Sequence, residues 1–131
     1  MPQEDKYKRE TEKIGQLLAL LMDRLMHAGG LQDPFSFVKE QLKSEAELDL
    51  DMWLGMNDKE DIAFLVSEKH FSTDHLRVLG DVLYQLAYKS GSQKEALLKR
   101  KALVLYEYIS ANNNGTLYYD LHYRIKELKH G

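Results

Sequence analysis

Apolar residues recur every three or four positions along most of this chain, the spacing that places side chains on one face of an α-helix. The first such segment spans residues 5–28 and ends before a pair of glycines, which are a typical stop signal for a helix. Its apolar stripe consists of Tyr7, Ile14, Leu17, Leu18, Leu21, Met22, Leu25 and Met26. We therefore predict an N-terminal amphipathic helix, which either packs on its own domain or joins two chains as a homodimer.

Residues 33–68 form an acidic middle section in which short helices are predicted. Asp33 and Pro34 mark the start of the first, because an Asp side chain accepts hydrogen bonds from free backbone N–H groups and Pro fits the first helical turn. Ser44 and Glu47 have the spacing of a capping box, which predicts a second helix start.

The residues that follow, LDLDMWLGMN, are ambiguous. They alternate like a strand, but they also fit a short helix. Because no partner strand is visible elsewhere in the sequence, we expect a helix. The sequence NDKE at 57–60 then predicts another helix cap.

Three segments with helical spacing follow, at 73–90, 93–110 and 117–129. Ser72 and Ser92 stand where N-cap residues are expected for the first two. Short connections between helices favour antiparallel neighbours. The prediction is an up-down-up layer of three helices.

The middle segment, 93–110, is apolar almost all round. A helix with so little polar surface must be covered on more than one side. Its apolar residues are Leu97, Leu98, Ala102, Leu103, Val104, Leu105, Tyr106, Tyr108 and Ile109. We therefore expect this helix to be buried between the other two.

Gly80 interrupts the first helix of this layer. A glycine inside a helix costs about 1 kcal/mol relative to Ala, so it is favoured where a neighbouring backbone comes close. We expect that neighbour to contribute a small residue such as Ala102. A glycine on the exposed surface is the alternative.

The segment 72–129 resembles a tetratricopeptide repeat, whose helix pair packs against a further helix. The matching residues are Leu76, Leu79, Gly80 and Leu83 in the first helix, Gly91 and Ala96 at the turn, and Ala102 and Tyr106 in the second helix. The resemblance implies that the groove-facing side of the first helix binds peptides of partner proteins. On this chain that side carries Arg77, Asp81, Tyr84 and Tyr88.

The whole chain also resembles uncharacterised bacterial proteins that join an N-terminal amphipathic helix to such a helical layer. That resemblance implies no activity. The sequence also contains no motif that indicates an enzyme, since no Gly-rich phosphate loop, nucleophile elbow or HExxH motif occurs. Since the chain also contains no cysteine and His70, Asp74 and His75 lack a metal-binding spacing, we expect no enzyme activity, no cofactor and no metal.

The net charge of −3 hides an asymmetry between the two halves of the chain. Residues 1–65 carry 14 acidic and 8 basic residues, whereas residues 66–131 carry 7 acidic and 10 basic residues. The halves either complement each other within the chain or favour association with a partner.

A pI of 5.9 is low for a nucleic-acid-binding protein. The candidate phosphate or nucleic-acid site is the basic cluster of Lys94, Lys99, Arg100 and Lys101.

Seven of the eight tyrosines lie between residues 84 and 123. Tyrosine gives a large contact area with few rotatable bonds, which suits a recognition surface. The alternative is that most of them lie at the edge of the core with their hydroxyl groups in water.

The sequence thus predicts one all-α domain over residues 1–131, with an N-terminal amphipathic helix and an antiparallel, tetratricopeptide-like helical layer. The expected function is a non-catalytic protein-interaction or scaffold module that binds a protein or peptide partner. The alternative is a nucleic-acid-associated regulator that uses the basic turn at 99–101. A cytoplasmic location is expected, because the charged N-terminal stretch lacks a signal segment and no apolar run is long enough to span a membrane.

Overall fold

The computed structural model of the chain describes residues 2–27, 32–89, 92–112 and 119–130, with side chains from residue 8 onward except those of residues 92 and 119. These ranges contain helices and no strand, so the all-α prediction is confirmed. In chain order the helices are α1 (Pro2–His27), α2 (Pro34–Ala46), α3 (Leu50–Leu54), α4 (Asp61–Ser67), α5 (Thr73–Lys89), α6 (Ser92–Ala111) and α7 (Tyr119–His130).

The apolar stripe of α1 packs within its own domain, against α5 and α2. Leu18, Leu21 and Leu25 are almost completely buried there. The start of α2 is as predicted: Asp33 is the N-cap, and its side chain accepts a hydrogen bond of 3.1 Å from the backbone N–H of Ser36. The glycine pair at 29–30 lies outside the described residues.

The capping box predicted at Ser44 and Glu47 is wrong. Helix α2 continues through Ser44 to Ala46, and Glu47 ends it by adopting a left-handed backbone conformation with φ of 52°. In that conformation the N–H groups of residues 47 and 48 reach back to carbonyl groups of the last turn, so that the helix end is satisfied. The helix start comes later, at Asp49, whose carboxylate accepts from the backbone N–H of Met52 at 3.1 Å.

The ambiguous stretch after Glu47 is helical at Leu50–Leu54, as expected, and not a strand. The helix cap predicted at 57–60 is wrong, because the N-cap of α4 is Glu60 and its side chain makes no capping hydrogen bond. The Asn57 side chain instead accepts from the backbone N–H groups of Lys59 and Glu60 at 3.0 and 2.9 Å. It closes a turn that precedes the helix, because α4 begins at Asp61.

Helix α6 is covered on several sides, since it contacts α5, α7 and α3. The side chains of its central stripe are fully buried, and those on the flanks are half-buried. The fully buried apolar residues are Leu98, Ala102, Leu105, Tyr106 and Ile109. The prediction that this helix is buried between neighbours is therefore confirmed. Gly91, at the predicted turn, and residues 113–118 lie outside the described ranges.

Gly80 is buried at the contact between α5 and α6, so the exposed alternative is wrong. The prediction that Ala102 is the close neighbour of Gly80 is also wrong. A Cβ atom added at Gly80 would lie 2.8 Å from Cε1 of Tyr106, which is closer than side-chain atoms can approach. The glycine therefore makes room for an aromatic ring instead of a second small residue.

Candidate interaction surface on helix α5

Four side chains of α5 line one side of the helix, and we call Arg77, Asp81, Tyr84 and Tyr88 the α5 polar face. Their spacing of four, three and four residues places them in a row along the axis. The first helix of the layer thus brings together all four residues that the sequence assigned to partner binding. Each of them contacts another part of the chain.

Helix α7 runs along the α5 polar face and meets it through side chains of complementary chemistry. Arg77 forms an ion pair with Asp120. Nη1 of Arg124 donates to Oδ1 of Asp81 at 2.8 Å. The three matched pairs, Arg77–Asp120, Asp81–Arg124 and Tyr84–Glu127, are each separated by 43 residues. The constant separation means that α5 and α7 run parallel and in register.

The centre of this contact is a three-membered polar cluster. The Tyr106 hydroxyl donates to Oδ1 of Asp81 at 2.6 Å, and Arg124 donates to the same hydroxyl at 3.0 Å. Burial raises the pKa of Tyr106, and the neighbouring charge of Asp81 raises it further. Tyr106 therefore remains a neutral hydrogen-bond donor and holds Asp81 in place for Arg124.

Tyr84 and Tyr88 form an aromatic pair at one end of the face. Their ring centroids are 4.9 Å apart with an interplanar angle of 60°, which is an edge-on arrangement. Both hydroxyl groups donate to the carboxylate of Glu127, at 2.8 Å from Tyr84 and 3.2 Å from Tyr88. Burial and the hydrogen bond to Glu127 raise the pKa of Tyr84, so this donor also stays protonated.

Two cations stack on these rings. The guanidinium carbon of Arg124 lies 4.2 Å from the ring centroid of Tyr84, and Nζ of Lys99 lies 4.8 Å from that of Tyr88. Both distances are within the range of a cation–π interaction. Tyr88 is nevertheless 52% exposed, so its outer edge is accessible to another molecule.

The tyrosines divide between the two interpretations that the sequence left open. Tyr106 is fully buried, Tyr84 and Tyr108 are half-buried, and Tyr88 and Tyr123 are exposed. The side chains of residues 118 and 119 lie outside the described set. Core-edge packing and surface display therefore occur together on α5, α6 and α7.

The basic cluster on α6 is paired with carboxylates of its own chain. Lys94 also lies over the ring of Phe35, with Nζ 3.6 Å from the centroid. The hydrogen bond and charge of Glu95 raise the pKa of Lys99, and those of Asp58 raise the pKa of Arg100. The ion pairs are Lys94–Asp51 at 3.9 Å, Lys99–Glu95 at 2.9 Å and Arg100–Asp58 at 3.1 Å.

Lys101 is fully buried, which removes it from the predicted phosphate-binding set. Its ammonium donates to Asp61 at 2.7 Å, to the Met56 carbonyl at 2.6 Å and to Asp58 at 3.2 Å. The indole of Trp53 donates to the Asp61 carbonyl at 2.9 Å. This network ties the acidic middle section to α6. The charge asymmetry of the sequence therefore acts, at least here, as complementarity within the chain.

The sequence did not reveal the role of His75. Its Nδ1 accepts from the backbone N–H of Ser72 at 3.0 Å, while the Ser72 hydroxyl accepts from the His75 N–H at 3.2 Å. These are the two bonds of a capping box, with His in the place of the usual Glu or Gln. The other side of the ring faces α1, where it lies near the backbone of Thr11 and near Gly15. Burial lowers the pKa of His75.

A separate groove of about 400 Å³ lies between α1, the end of α2 and the segment that leads into α5. Its charged walls carry both signs, so it has no single charge for a ligand to complement. The charged lining residues are Glu10, Lys13, Glu45, Glu47, Glu68 and Lys69. Within the described ranges, no group of three or more potential metal-ligating side chains comes together.

Across the same described residues, none of the helices combines the length and apolar character that a membrane crossing requires.

In comparisons with known proteins, no family model, no curated protein and no solved structure matches the chain. The tetratricopeptide resemblance therefore stays a prediction.

Proposed function

We propose that this chain is a non-catalytic protein-interaction module whose α5 polar face recognises a helix of a partner protein. The observation that carries the proposal is the contact between α5 and α7. That contact uses paired polar and aromatic side chains in one constant register, so the face already has the properties of a helix-recognition surface.

The chemistry of the contact favours recognition over simple core packing. Tyrosine and arginine are enriched at protein interfaces, where they provide area and directional hydrogen bonds. Paired charges fix orientation and reject wrong partners more than they add affinity. On α7, Leu121 is the one fully buried apolar residue within the described side chains. Polar complementarity therefore has a larger part here than at a core helix contact.

The parallel course of α5 and α7, with α6 between them in sequence, supports a tetratricopeptide-like layer as part of this proposal. In such a layer the first helix of a pair faces the partner. The four residues of the α5 polar face lie on one side of α5, as that geometry requires.

Self-association through the N-terminal helix is a further part of the proposal. The leucine stripe of α1 is used within the domain, so a homodimer contact would use the apolar side chains that remain exposed, Leu20 and Met26. Light scattering on the full chain and on a Leu20→Glu, Met26→Glu variant tests this contact. A dimer mass that falls to a monomer mass in the variant supports it, and a monomer mass for both chains contradicts it.

Site-specific photo-crosslinking tests the interaction module. A photoreactive residue replaces Tyr88, which is exposed beside the face, and in a control chain it replaces Lys59, an exposed residue of the middle section. We expect a discrete crosslinked protein from position 88 and not from position 59, and we expect Tyr84→Ala to abolish it. Identical crosslinks from both positions, or none from position 88, would contradict the proposal.

A further inference from the structure

We infer that α7 acts as an internal ligand of the α5 polar face, and that the matching partner is a helix with a carboxylate, a guanidinium and a carboxylate at positions i, i+4 and i+7. The inference rests on the proposed function and specifies the partner class for the same surface. On α7 these positions are Asp120, Arg124 and Glu127.

The three positions fall on one side of α7, because residues three and four apart are neighbours on a helix. Each meets a group of opposite or complementary character. A cation lies opposite Asp120, an anion lies opposite Arg124, and two hydroxyl donors lie opposite Glu127. A second helix with the same three groups would satisfy the same surface.

The attachment of α7 leaves room for exchange with such a helix. The side chain of Asp120 is 66% exposed, and Glu127 is also exposed, so water and competing groups reach both carboxylates. The outer side of α7 carries exposed residues, including Tyr123 at 70%. Beyond Leu121, its apolar anchors Ile125 and Leu128 are only half-buried.

The length of α7 also indicates that another helix can displace it. It has 12 residues, and isolated helices shorter than about 12–15 residues are marginal in water. Its helical state therefore depends on the contact with α5 and α6. An element of this kind opens at a lower free energy than the core.

Coverage by α7 has a defined consequence for binding. A partner meets a competent surface only in the fraction of molecules whose α7 is displaced, so its apparent affinity is reduced by that fraction. Weakening α7 in the intact chain should therefore strengthen binding of an external helix. A purely structural role for α7 predicts no such gain.

Fluorescence anisotropy with a labelled synthetic peptide tests the inference. The probe carries the sequence of residues 116–131, and the proteins are the full chain and its Asp120→Lys, Glu127→Lys variant, with circular dichroism to confirm that the variant is folded. We expect the variant to bind the peptide at least tenfold more tightly than the unaltered chain does. A peptide with the same two reversals should not bind either chain.

A charge swap places the bound peptide on the face. Adding Arg77→Glu to a Glu127→Gln chain, in which Asp120 of α7 cannot pair with the new carboxylate, should weaken binding of the original peptide, and an Asp120→Arg peptide should restore it. If the double reversal prevents folding, Glu127→Gln in the full chain provides the milder perturbation, for which we expect about threefold tighter binding. Equal binding by all chains, or binding of the reversed peptide, would overturn the inference.

The two proposals fail in different ways. If the peptide does not bind but position 88 still crosslinks a specific protein, the interaction module stands and the helix pattern is wrong. If the peptide binds as expected but position 88 crosslinks nothing, α7 is an intramolecular ligand without an external counterpart, and the proposed function fails. A third result is a dimer of the unaltered chain that the Asp120→Lys, Glu127→Lys variant converts to a monomer. The α5 polar face would then bind α7 of a second copy, and the proposal of a different partner protein would be wrong.

Discussion

The ring of Tyr106 occupies the space that a side chain at Gly80 would need. Cε1 and Cζ of the ring lie 2.8 and 3.2 Å from the position of an added Cβ. The ring is fully buried and is fixed at its hydroxyl by Asp81 and Arg124. It therefore has little freedom to move away, and α5 and α6 can approach this closely only at a glycine.

We expect Gly80→Ala to lower the free energy of unfolding by about 1–2 kcal/mol, since overpacking a well-filled core costs more than the helix propensity of Ala returns. Urea unfolding followed by circular dichroism measures the change. Gly15→Ala is the matched control, because its Cβ would lie 3.6 Å from the nearest atom of His75, an ordinary contact. That control should leave stability unchanged or raise it, and equal effects of the two changes would contradict the assignment.

Tyr106→Phe removes the hydroxyl group but keeps the ring. Asp81 and Arg124 lose one hydrogen bond each and keep the bond between them, so we expect a loss of about 1 kcal/mol in the free energy of unfolding. Tyr108→Phe, a change at a half-buried tyrosine of the same helix, should alter stability by less than about 0.5 kcal/mol. A larger effect at Tyr108 than at Tyr106 in the same urea experiment would count against the central polar cluster.

Lys101→Met should be strongly destabilising. It leaves the buried carboxylate of Asp61 without its cation, and breaking a buried ion pair in this way costs about 3–5 kcal/mol. Adding Asp61→Asn should recover a large part of the loss, because the unpaired charge is then gone. Lys94→Met, at a residue exposed to water, should change the unfolding free energy by less than about 0.5 kcal/mol. Additive effects at Lys101 and Asp61 would show that the two are not coupled.

The stability of the fold should fall on acidification through His75. Its folded-state pKa lies below the ordinary value of about 6.5, so the unfolded chain binds the proton more readily than the folded chain. The stabilisation is therefore complete above about pH 6.5 and is lost as the pH falls through the folded-state pKa. Protonation at Nδ1 would also destroy the acceptor for the Ser72 N–H.

His75→Gln isolates this contribution, because a Gln at the same position of a capping box accepts the same bond and does not titrate. Thermal unfolding of both chains between pH 4 and 8 measures it, a range chosen to span roughly the ordinary pKa of His. We expect a smaller loss of stability for the Gln variant towards acid pH. Parallel curves for the two chains would exclude a role for His75 in the pH dependence.

Several helix positions followed from local signals in the sequence. The Asp33–Pro34 start, the Ser72 cap and the apolar periodicity of α5 and α6 depend on neighbouring residues alone, and each is present in the structure. The Ser44–Glu47 spacing misled for the same reason. It is also a local signal, but α2 continues through Ser44, and Glu47 ends that helix in a left-handed conformation instead of helping to start a new one.

The contacts that define the candidate site were not predictable in this way. The pairing of Asp81 with Arg124 joins residues 43 positions apart, and a spacing rule has no means of finding it. The burial of Lys101 likewise depends on Asp61, which comes 40 residues earlier. The residue types on the α5 polar face were evident from the sequence, whereas the helix that covers them emerged only in three dimensions.

If α7 is a separable cover of the α5 polar face, it opens without the rest of the fold, and native-state hydrogen exchange measures that opening. We predict that the amides of Ile125 and Leu128, which lie beyond the first turn of α7, exchange through local opening, at a lower free energy than those of Leu83 and Leu105 in α5 and α6. Glu127→Gln should speed exchange in α7 severalfold and leave the other two helices unchanged. Exchange of α7 only together with α5 and α6, with no response to Glu127→Gln, would show that α7 is an integral part of the core and not a separable cover.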